Sequence, residues 1–430
     1  MGIACGANEL QAQGPVRPLA NDAVIIAESP EPNVLSFYDP AIVRLSSGRL
    51  VAAYIATGDR SLVSYPLMCI LVSDDGGATW RETYANSAER ITHGRLFVAG
   101  DALYLMGQRP NLRIMRSLDD GETWSDQVDL TSGEQWHGTA TNVWYARDHV
   151  YLVMERRVTS AITGWEVGEL APVLLRARVT DDLLQPASWT RASELAMQDI
   201  LPGFRENTLE LDGFGVPFFE QTYPDSNLLV RGRTFAPVGW LETNVVQIMD
   251  PDHVWFDPTG RTFHLFARAN TGGTGYAAIA KVVENPDGTM TTMLEQAPSG
   301  RDLLFLPLPG GQMKFFILYD EVTKLYWMLG SQATDSMTRA EELPPERYGL
   351  PNNERHRMVL HFSKNLVDWC FAGLVAITNS PREARHYASM AIDGDDLVIL
   401  SRSGDARAKS AHDGNLITFH RVRNFRALVY

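Results

Sequence analysis

The sequence predicts an all-β fold: a single β-propeller of four-stranded antiparallel blades, with seven blades favoured and six possible. Three observations predict it. Short apolar runs separated by Gly, Asp, Asn and Pro turns dominate the chain, and long helical periodicity is nearly absent. A strand–turn–strand unit recurs at a spacing of roughly 50–70 residues, the period of a propeller blade with long loops. Two octapeptides, Ser73–Trp80 and Ser117–Trp124, are almost identical.

The recurring unit consists of two apolar strands joined by a tight polar turn. It appears in "AIVRLSSGRLVAAY", "RLFVAGDALYLMG", "TNVWYARDHVYLVME", "HVWFDPTGRTFHLFA", "FFILYDEVTKLYWML" and "ASMAIDGDDLVILS". The interval from Asp148 to Gly260 has double length and contains a further hairpin-like stretch, "VPFFEQTYPDSNLLVRG". Counting that stretch gives seven blades, whereas reading residues 191–239 as an insertion or irregular blade gives six. We expect residues 1–20 to be a flexible N-terminal segment and residues 21–430 to form one catalytic propeller domain, because a closed ring leaves only short, protected sheet edges.

The two octapeptides share the pattern Ser-x-Asp-x-Gly-x-Thr-Trp, the Asp-box, and in this they resemble the sialidase-like propellers. Their adjacent carboxylates could bind calcium or act as acid and base. A structural turn is favoured, because the Asp side chain can accept backbone N–H bonds while Gly supplies a positive φ. The Trp would then cover the blade as an apolar plug. "FSKNLVDW", from Phe362 to Trp369, is a shorter, degenerate copy. No cofactor is required, and a structural calcium remains an open option.

Composition excludes several functional classes. The 430-residue chain has a formal net charge of −14, which argues against general binding to nucleic acid or anionic membranes. Its three cysteines, Cys5, Cys69 and Cys370, cannot form a disulfide framework and lie in no metal-binding pattern. No apolar run is long enough to span a membrane. The N-terminal "IAC" resembles the end of a bacterial lipoprotein cleavage site, so a periplasmic or extracellular location is expected, with lipid attachment at Cys5 of the precursor as an option. We expect a monomer.

Four longer segments carry a more specific resemblance, which spans roughly residues 35–426. They are "WHGTATNVWYARDHVYLVMERR", "GWLETNVVQIMD", "LPGGQMKFFILYDEVTKLYWMLGS" and "SAHDGNLITFHRVRNFR". Together they resemble a branch of sialidase-like propellers that contains ulvan lyases, rhamnose–glucuronate lyases and an α-L-rhamnosidase acting on rhamnosyl-glucuronate. The resemblance implies an enzyme that cleaves an acidic oligo- or polysaccharide. It leaves the reaction type open, because the branch contains both lyases and hydrolases.

The resemblance implies four catalytic residues. The branch's lyases use a His, a Tyr and an Arg that neutralises the uronate, which indicates His137 as the base and Arg268 as the carboxylate partner. Glu242 lies where the lyase tyrosine is expected, and this departure raises the hydrolase alternative. Tyr223 could supply a phenol from another loop. Elimination is favoured over hydrolysis, in which Glu242 would need a second carboxylate such as Glu206, Glu210 or Glu220.

Further candidates for contact with the substrate are Lys314, Tyr319, His386, Tyr387, Arg231, Arg233 and Asn244; no metal ligand is predicted. A true sialidase is the less expected enzyme. Sialidases carry an Arg-Ile-Pro motif in the first blade, where this chain has "FYDPAIV" with Asp39 before the proline. A propeller that only binds glycans is the third alternative. It would not require His137, Glu242 and Arg268 to converge on one face of the ring.

Overall fold

The computed structural model describes residues 16–430, apart from 60, 163–164, 201–227, 231–232, 236–238, 271–274, 298, 335–337, 339–341 and 343–353, and describes only the backbone of 228–230 and 233–235. The first strand, β1 (Val24–Glu28), belongs to the last blade. Blade 1 comprises β2 (Leu35–Arg44), β3 (Leu50–Gly58), β4 (Met68–Ser73) and β5 (Arg81–Asn86). Blade 2 comprises β6 (Thr92–Ala99), β7 (Ala102–Gln108), β8 (Leu112–Ser117) and β9 (Val128–Asp129).

Blade 3 has an interrupted inner strand. It comprises β10 (Trp136–His137), β11 (Trp144–Ala146), β12 (His149–Arg157), β13 (Leu170–Arg178) and β14 (Thr190–Arg191), and β10 and β11 both pair with β12. The chain then forms the short helix α1 (Met197–Ile200) and a ribbon of β15 (Leu228–Val230) and β16 (Arg233–Phe235). Short 3-10 turns lie at Glu166–Glu169, Pro186–Ser188 and Phe425–Leu428.

Blades 4 to 6 complete the ring. Blade 4 comprises β17 (Trp240–Val246), β18 (Thr262–Ala269), β19 (Tyr276–Glu284) and β20 (Met290–Met293), followed by a ribbon of β21 (Glu295–Gln296) and β22 (Asp302–Leu303) and by β23 (Phe305–Pro307) beside β19. Blade 5 comprises β24 (Phe316–Asp320), β25 (Leu325–Ser331), β26 (Arg357–Ser363) and β27 (Cys370–Ile377). Blade 6 comprises β28 (Ala384–Asp393), β29 (Asp396–Gly404) and β30 (Leu416–Val422), with β1 paired to β30 as its outer strand.

The all-β propeller prediction is confirmed, and the described residues form six blades rather than the favoured seven. Blade 3 packs directly against blade 4, through contacts of β12 and β13 with β17, so no blade separates them. Within residues 191–239 the described strands are only the ribbon β15–β16. Leu19 and Ala20, at the end of the predicted N-terminal segment, donate backbone hydrogen bonds of 2.8 and 2.9 Å to Leu374 and Val375 of blade 5.

The core lies between the blades. Middle strands are buried on both faces, as in the run Leu50–Ala56, because each sheet is covered by its neighbours. Two inner-strand asparagines also join blades across the ring. Asn142 exchanges two hydrogen bonds with the backbone of Val245, at 2.7 and 2.8 Å. Asn244 accepts from Ile317 at 2.9 Å and donates to Phe315 at 3.1 Å. These amides therefore take the place of backbone pairing between sheets, and Asn244 has a structural environment.

Both Asp-boxes form closed turns. In the first, Asp75 Oδ1 accepts from Ser73 Oγ and from the N–H of Thr79, each at 2.9 Å, and Oδ2 accepts from the Thr79 hydroxyl at 2.6 Å. The indole of Trp80 donates to Gly77 at 3.0 Å. The second box repeats this pattern of bonds around Asp119. Because the turn uses both carboxylate oxygens, the motif stabilises the fold at the end of the blade opposite the site described below.

No helix within the described residues is long and apolar enough to cross a membrane. In the same part of the chain, no group of three or more His, Cys, Asp or Glu side chains is arranged to hold a metal ion.

Candidate active site

Four of the six inner strands carry a β-bulge at the same level of the ring. The register slips after Tyr38 in β2, after Thr92 in β6, after Leu241 in β17 and after His386 in β28. In each case the next residue has a positive φ, namely Asp39 (55°), His93 (53°), Glu242 (58°) and Tyr387 (51°). Non-glycine residues rarely adopt this conformation, and strain of this kind concentrates at functional sites. The four bulges re-aim four polar side chains at one end of the ring axis.

The other two blades contribute His137 and Lys314 at this level. His137 ends the interrupted strand β10, and its ring centroid lies 4.9 Å from that of His93. Lys314 precedes β24, and its Nζ donates to the carbonyl of Ala388, next to Tyr387, at 2.5 Å. Each blade thus places one titratable side chain in a ring: Asp39, His93, His137, Glu242, Lys314 and Tyr387.

The most tightly connected part of this ring joins Glu242, Tyr387 and Arg268. Tyr387 donates its phenolic hydrogen to Glu242 Oε1. Arg268 Nη1 lies 2.7 Å from the Tyr387 hydroxyl and 3.2–3.3 Å from the two Glu242 oxygens. Its Nε donates to Gln312 at 2.8 Å, while its Nη2 has no hydrogen-bond partner among the described residues. The guanidinium also stacks over Trp165, 5.3 Å from the ring centroid.

The charges of this group follow from its surroundings. Burial raises the pKa of Glu242, but Arg268 and Tyr387 outweigh it and hold the pKa below its ordinary value. Burial raises the pKa of Tyr387 to about 12. Burial lowers the pKa of Arg268, and Tyr387 and Glu242 more than reverse this. At neutral pH the group is therefore a carboxylate, a neutral phenol and a guanidinium.

Two further arginines lie against Tyr387. The guanidinium carbons of Arg355 and Arg402 are 5.3 and 5.2 Å from its ring centroid. Arg402 also stacks on Tyr38 at 3.8 Å and donates to the carbonyl of His412. Burial lowers the pKa of Arg355 to about 9, so it is still a cation at neutral pH. Three buried cations around one phenol form a strongly positive region in an acidic protein, suited to an anionic group of a ligand.

On the opposite side of the ring, a histidine pair faces two carboxylates. Asp39 Oδ2 accepts the backbone N–H of His93 at 3.1 Å, and Gln108 donates to His93 Nδ1 at 2.8 Å. Burial lowers the pKa of His93. His137 Nδ1 lies 3.8 Å from Glu155 Oε2; burial lowers its pKa, but Glu155 and Glu242 raise it above the ordinary value. His93 is therefore neutral, and His137 titrates closer to neutral pH.

Lys314 is the ring's buried cation. It is 2% exposed, and burial lowers its pKa to about 7. Its amine therefore changes charge near neutral pH, beside the Tyr387 strand. Below this level, a cavity of about 420 Å³ follows the axis between the inner strands and reaches Tyr145 and Tyr319.

The structure brings together five of the residues predicted from the sequence: His137, Glu242, Arg268, Lys314 and Tyr387. Tyr319 does not join them, because five residues of strand β24 beyond Lys314 span roughly 17 Å. It packs against Tyr326 and Trp144 instead. His386 is 1% exposed and its Nδ1 bonds to Arg355 at 2.9 Å, so it supports an arginine of the site from behind. Tyr223 and Arg231 lie outside the described residues, as do the side chain of Arg233 and Glu206, Glu210 and Glu220.

Sequence reasoning missed His93, Glu155, Arg355 and Arg402, and it used Asp39 only as an argument against sialidase. A signal was present for two of these. In "DPAIV", "HGRLF", "ETNVV" and "YASMA", a polar or ionisable residue directly precedes the inner-strand run at the same point of the repeat. Aligning the repeats on that point would have selected Asp39 and His93. Glu155, Arg355 and Arg402 come from second strands and loops, where no such pattern marks them.

Comparison with known proteins shows the fold. No protein-family model and no curated protein sequence matches this chain. A protein of unknown function from Dyadobacter fermentans has a similar structure, with a TM-score of 0.52, 12% identity, and coverage of 94% of this chain and 98% of that one. The Hadza microbial sialidase Hz136 gives 0.54 and 14% over 95% and 69% of the two chains. A Trypanosoma rangeli sialidase mutant with trans-sialidase activity gives 0.52 and 14%, and this chain spans 60% of its length. The chain has a sialidase-like propeller fold.

Proposed function

We propose that this protein is a glycoside hydrolase acting on a sugar that carries a carboxylate. One observation carries the proposal: the buried Tyr387 hydroxyl donates to Glu242 while Arg268 contacts both groups. A phenol held by an ionised carboxylate is a nucleophile with its base in place. Neither group requires this burial for stability alone, since a buried ion pair stabilises a fold weakly.

In this reaction Tyr387 attacks the anomeric carbon. As the new C–O bond forms, the phenolic proton passes to Glu242, and the bond to the leaving-group oxygen breaks. A phenol with a pKa of about 12 stays neutral until that moment. A neutral nucleophile suits an anionic sugar, because a carboxylate nucleophile would repel it. Tyrosine nucleophiles are an established exception among glycosidases.

His137 is the acid for the leaving group. Its raised pKa keeps a protonated fraction near neutral pH, and Glu155 at 3.8 Å stabilises the imidazolium. In the second half of the reaction, the neutral His137 takes a proton from water, which displaces Tyr387 from the sugar. Glu242 returns its proton to the phenol, so both groups end in their starting states.

The arginines supply the recognition of the substrate. Arg268 has an unused Nη2 among the described residues, and Arg355 and Arg402 flank the same phenol. A carboxylate bound here would neutralise part of this positive region and be placed beside the nucleophile. The first-blade Asp39 would repel a carboxylate on its own side of the ring, so the substrate's anion is expected on the Arg268–Arg402 side.

β-Elimination is the second candidate, and the histidine side of the ring favours it. His137 in its neutral form could remove the C5 proton of a uronate, Arg268 could bind the carboxylate, and Tyr387 could protonate the leaving oxygen. This is the His, Tyr and Arg set implied by the lyase resemblance, with Tyr387 as the tyrosine. The product would contain a C4–C5 double bond and absorb ultraviolet light.

The test uses sialosides, glucuronides, rhamnosyl-glucuronates and ulvan, with both new reducing ends and ultraviolet absorbance recorded. Hydrolysis releases reducing sugar without the unsaturated product; equal release of both indicates elimination. Tyr387→Phe should lower kcat by at least about 100-fold. Tyr319→Phe, a matched change at the far end of the axis, should leave kcat unchanged. If no acidic glycoside is cleaved, or if Tyr387→Phe retains full activity, the proposal is wrong.

A further inference from the structure

A second cavity opens beside the arginine side of the ring. It has a volume of about 700 Å³ and lies between the loop after β27, the start of β26 and the segment Lys409–His412. It is separate from the axial cavity and contains none of the six ring residues. Its volume is sufficient for a sugar residue.

The lining of this cavity has one sign of charge. Its residues are His356, Arg357, Ile377, Thr378, Asn379, Ser380, Pro381, Arg382, Lys409, Ser410, Ala411 and His412, with no carboxylate among them. Such a lining is unexpected on a chain of net charge −14. Like charges collected in a concave surface focus the potential and attract an ion of opposite sign.

Two of these cations have no ion-pair partner within the described residues. Arg357 pairs with Glu354 at 2.8 Å, and burial lowers the pKa of His412 to about 4, so His412 is neutral. Arg382 and Lys409 are both exposed and make no salt bridge in the described part of the chain. Their charges are available to a ligand, and hydroxyls and an amide surround them at Thr378, Asn379 and Ser380 in the arrangement that binds a polar sugar.

The cavity adjoins the reacting group through one side chain. His412 lines the cavity, and its carbonyl accepts a hydrogen bond from Arg402. Arg402 in turn stacks on Tyr387. A ligand that extends from Tyr387 past Arg402 would therefore enter the cavity at His412.

We propose that this cavity is a subsite for a second anionic sugar residue, carrying a carboxylate or a sulfate, on the same chain as the residue bound at Tyr387. The inference rests on the proposed function and extends it: the substrate is an acidic oligosaccharide rather than a single acidic glycoside. Arg382 and Lys409 bind the anion, and the hydroxyl-bearing loop contacts the ring of the sugar.

The test measures binding by calorimetry to the Glu242→Gln protein, in which turnover is suppressed. The probes are tetragalacturonate for carboxylates, sulfated maltotetraose for sulfates, and unmodified maltotetraose as the neutral control. Adding Arg382→Ala and Lys409→Ala should weaken binding of at least one acidic tetramer roughly three- to tenfold, as expected for the loss of two surface ion pairs. The charge-matched controls are Arg423→Ala and Lys324→Ala at the opposite face of the ring, which should leave affinity unchanged.

Three outcomes would overturn the subsite: no acidic tetramer binds better than maltotetraose, the pocket variants bind as well as the controls, or both sets of variants weaken binding equally. The last outcome would indicate the protein's general field. Which tetramer responds decides between carboxylate and sulfate. Binding is measured without catalysis, so a working subsite in a protein that cleaves nothing would refute the proposed reaction alone. Cleavage of small glycosides without tetramer binding would refute the subsite alone.

Discussion

Replacing Arg268 by Met should destabilise the fold through the charge it leaves behind on Glu242. Arg268 and Glu242 are 1% and 3% exposed, with Nη1 and Oε2 3.2 Å apart. Removing one member of a buried ion pair costs about 3–5 kcal/mol of unfolding free energy. Because Tyr387 still donates to Glu242 and Met fills most of the vacated volume, we expect about 3 kcal/mol, the lower end.

The loss should depend on pH. In the wild-type protein the pKa of Glu242 is lowered, so this group contributes stability above its unfolded-state pKa, and the contribution is lost as pH falls through the lowered folded-state value. Without Arg268, burial dominates and the folded-state pKa of Glu242 lies above the unfolded one. Ionised Glu242 then destabilises the variant at pH 7, and protonation relieves it as pH falls toward about 5. The difference between the two proteins should shrink over that range.

Urea denaturation at both pH values, followed by tryptophan fluorescence, measures these differences. Adding Glu242→Gln to the Arg268→Met variant should restore part of the stability at pH 7, since it removes the uncompensated charge. Arg81→Met is the control, because it breaks an exposed pair with Glu122, whose pKa is lowered to about 2 and does not titrate in this range. A loss for Arg268→Met that is below about 1 kcal/mol, independent of pH, or not relieved by Glu242→Gln would refute the reasoning.

Three other predictions concern the ring and the blades. Lys314→Met should remove a rise in unfolding free energy between pH 7 and pH 10, because a folded-state pKa lowered to about 7 makes the wild-type protein gain stability as pH rises toward the unfolded-state pKa; a pH-series of urea midpoints tests this, and an unchanged rise contradicts it. His137→Gln should abolish the fall of kcat/KM with rising pH expected for a general acid, and a rise with pH in the wild-type protein would instead support elimination with His137 as base. Gly77→Ala should lower the thermal midpoint with kcat of the surviving folded protein unchanged, since its φ is 92° and a Cβ would lie 2.3 Å from the Phe419 ring; an unaltered midpoint would show that the turn adapts.

The fold was predictable because its determinants are local. Hairpin turns, two-sided apolar strands and Asp-box turns are each encoded within about ten residues, and the turn bonds around Asp75 and Asp119 have the expected form. The blade count was harder to predict, because a hairpin-like stretch between residues 191 and 239 resembles a blade in sequence. Only the direct packing of β12 and β13 on β17 shows that none is inserted there.

The site was predictable only in part. Glu242 and Arg268 lie 26 residues apart and could be selected from their segments, but Tyr387 lies 145 residues from the carboxylate to which it donates. Closing the ring brings these residues together, so no local pattern reveals that they are partners. Tyr387 thus supplies, from another blade, the tyrosine that seemed to be missing at position 242.

The sequence by itself determined that this chain forms a propeller, because repeated local turns and apolar strands are sufficient to specify each blade. It also determined that the Asp-box carboxylates belong to turns. The tertiary structure alone decided which ionisable groups meet, since the bulges at Asp39, His93, Glu242 and Tyr387 matter only when the blades stand around one axis. It also decided their charges, because burial and the positions of Arg268, Arg355 and Arg402 set each pKa through distances that the chain acquires on folding.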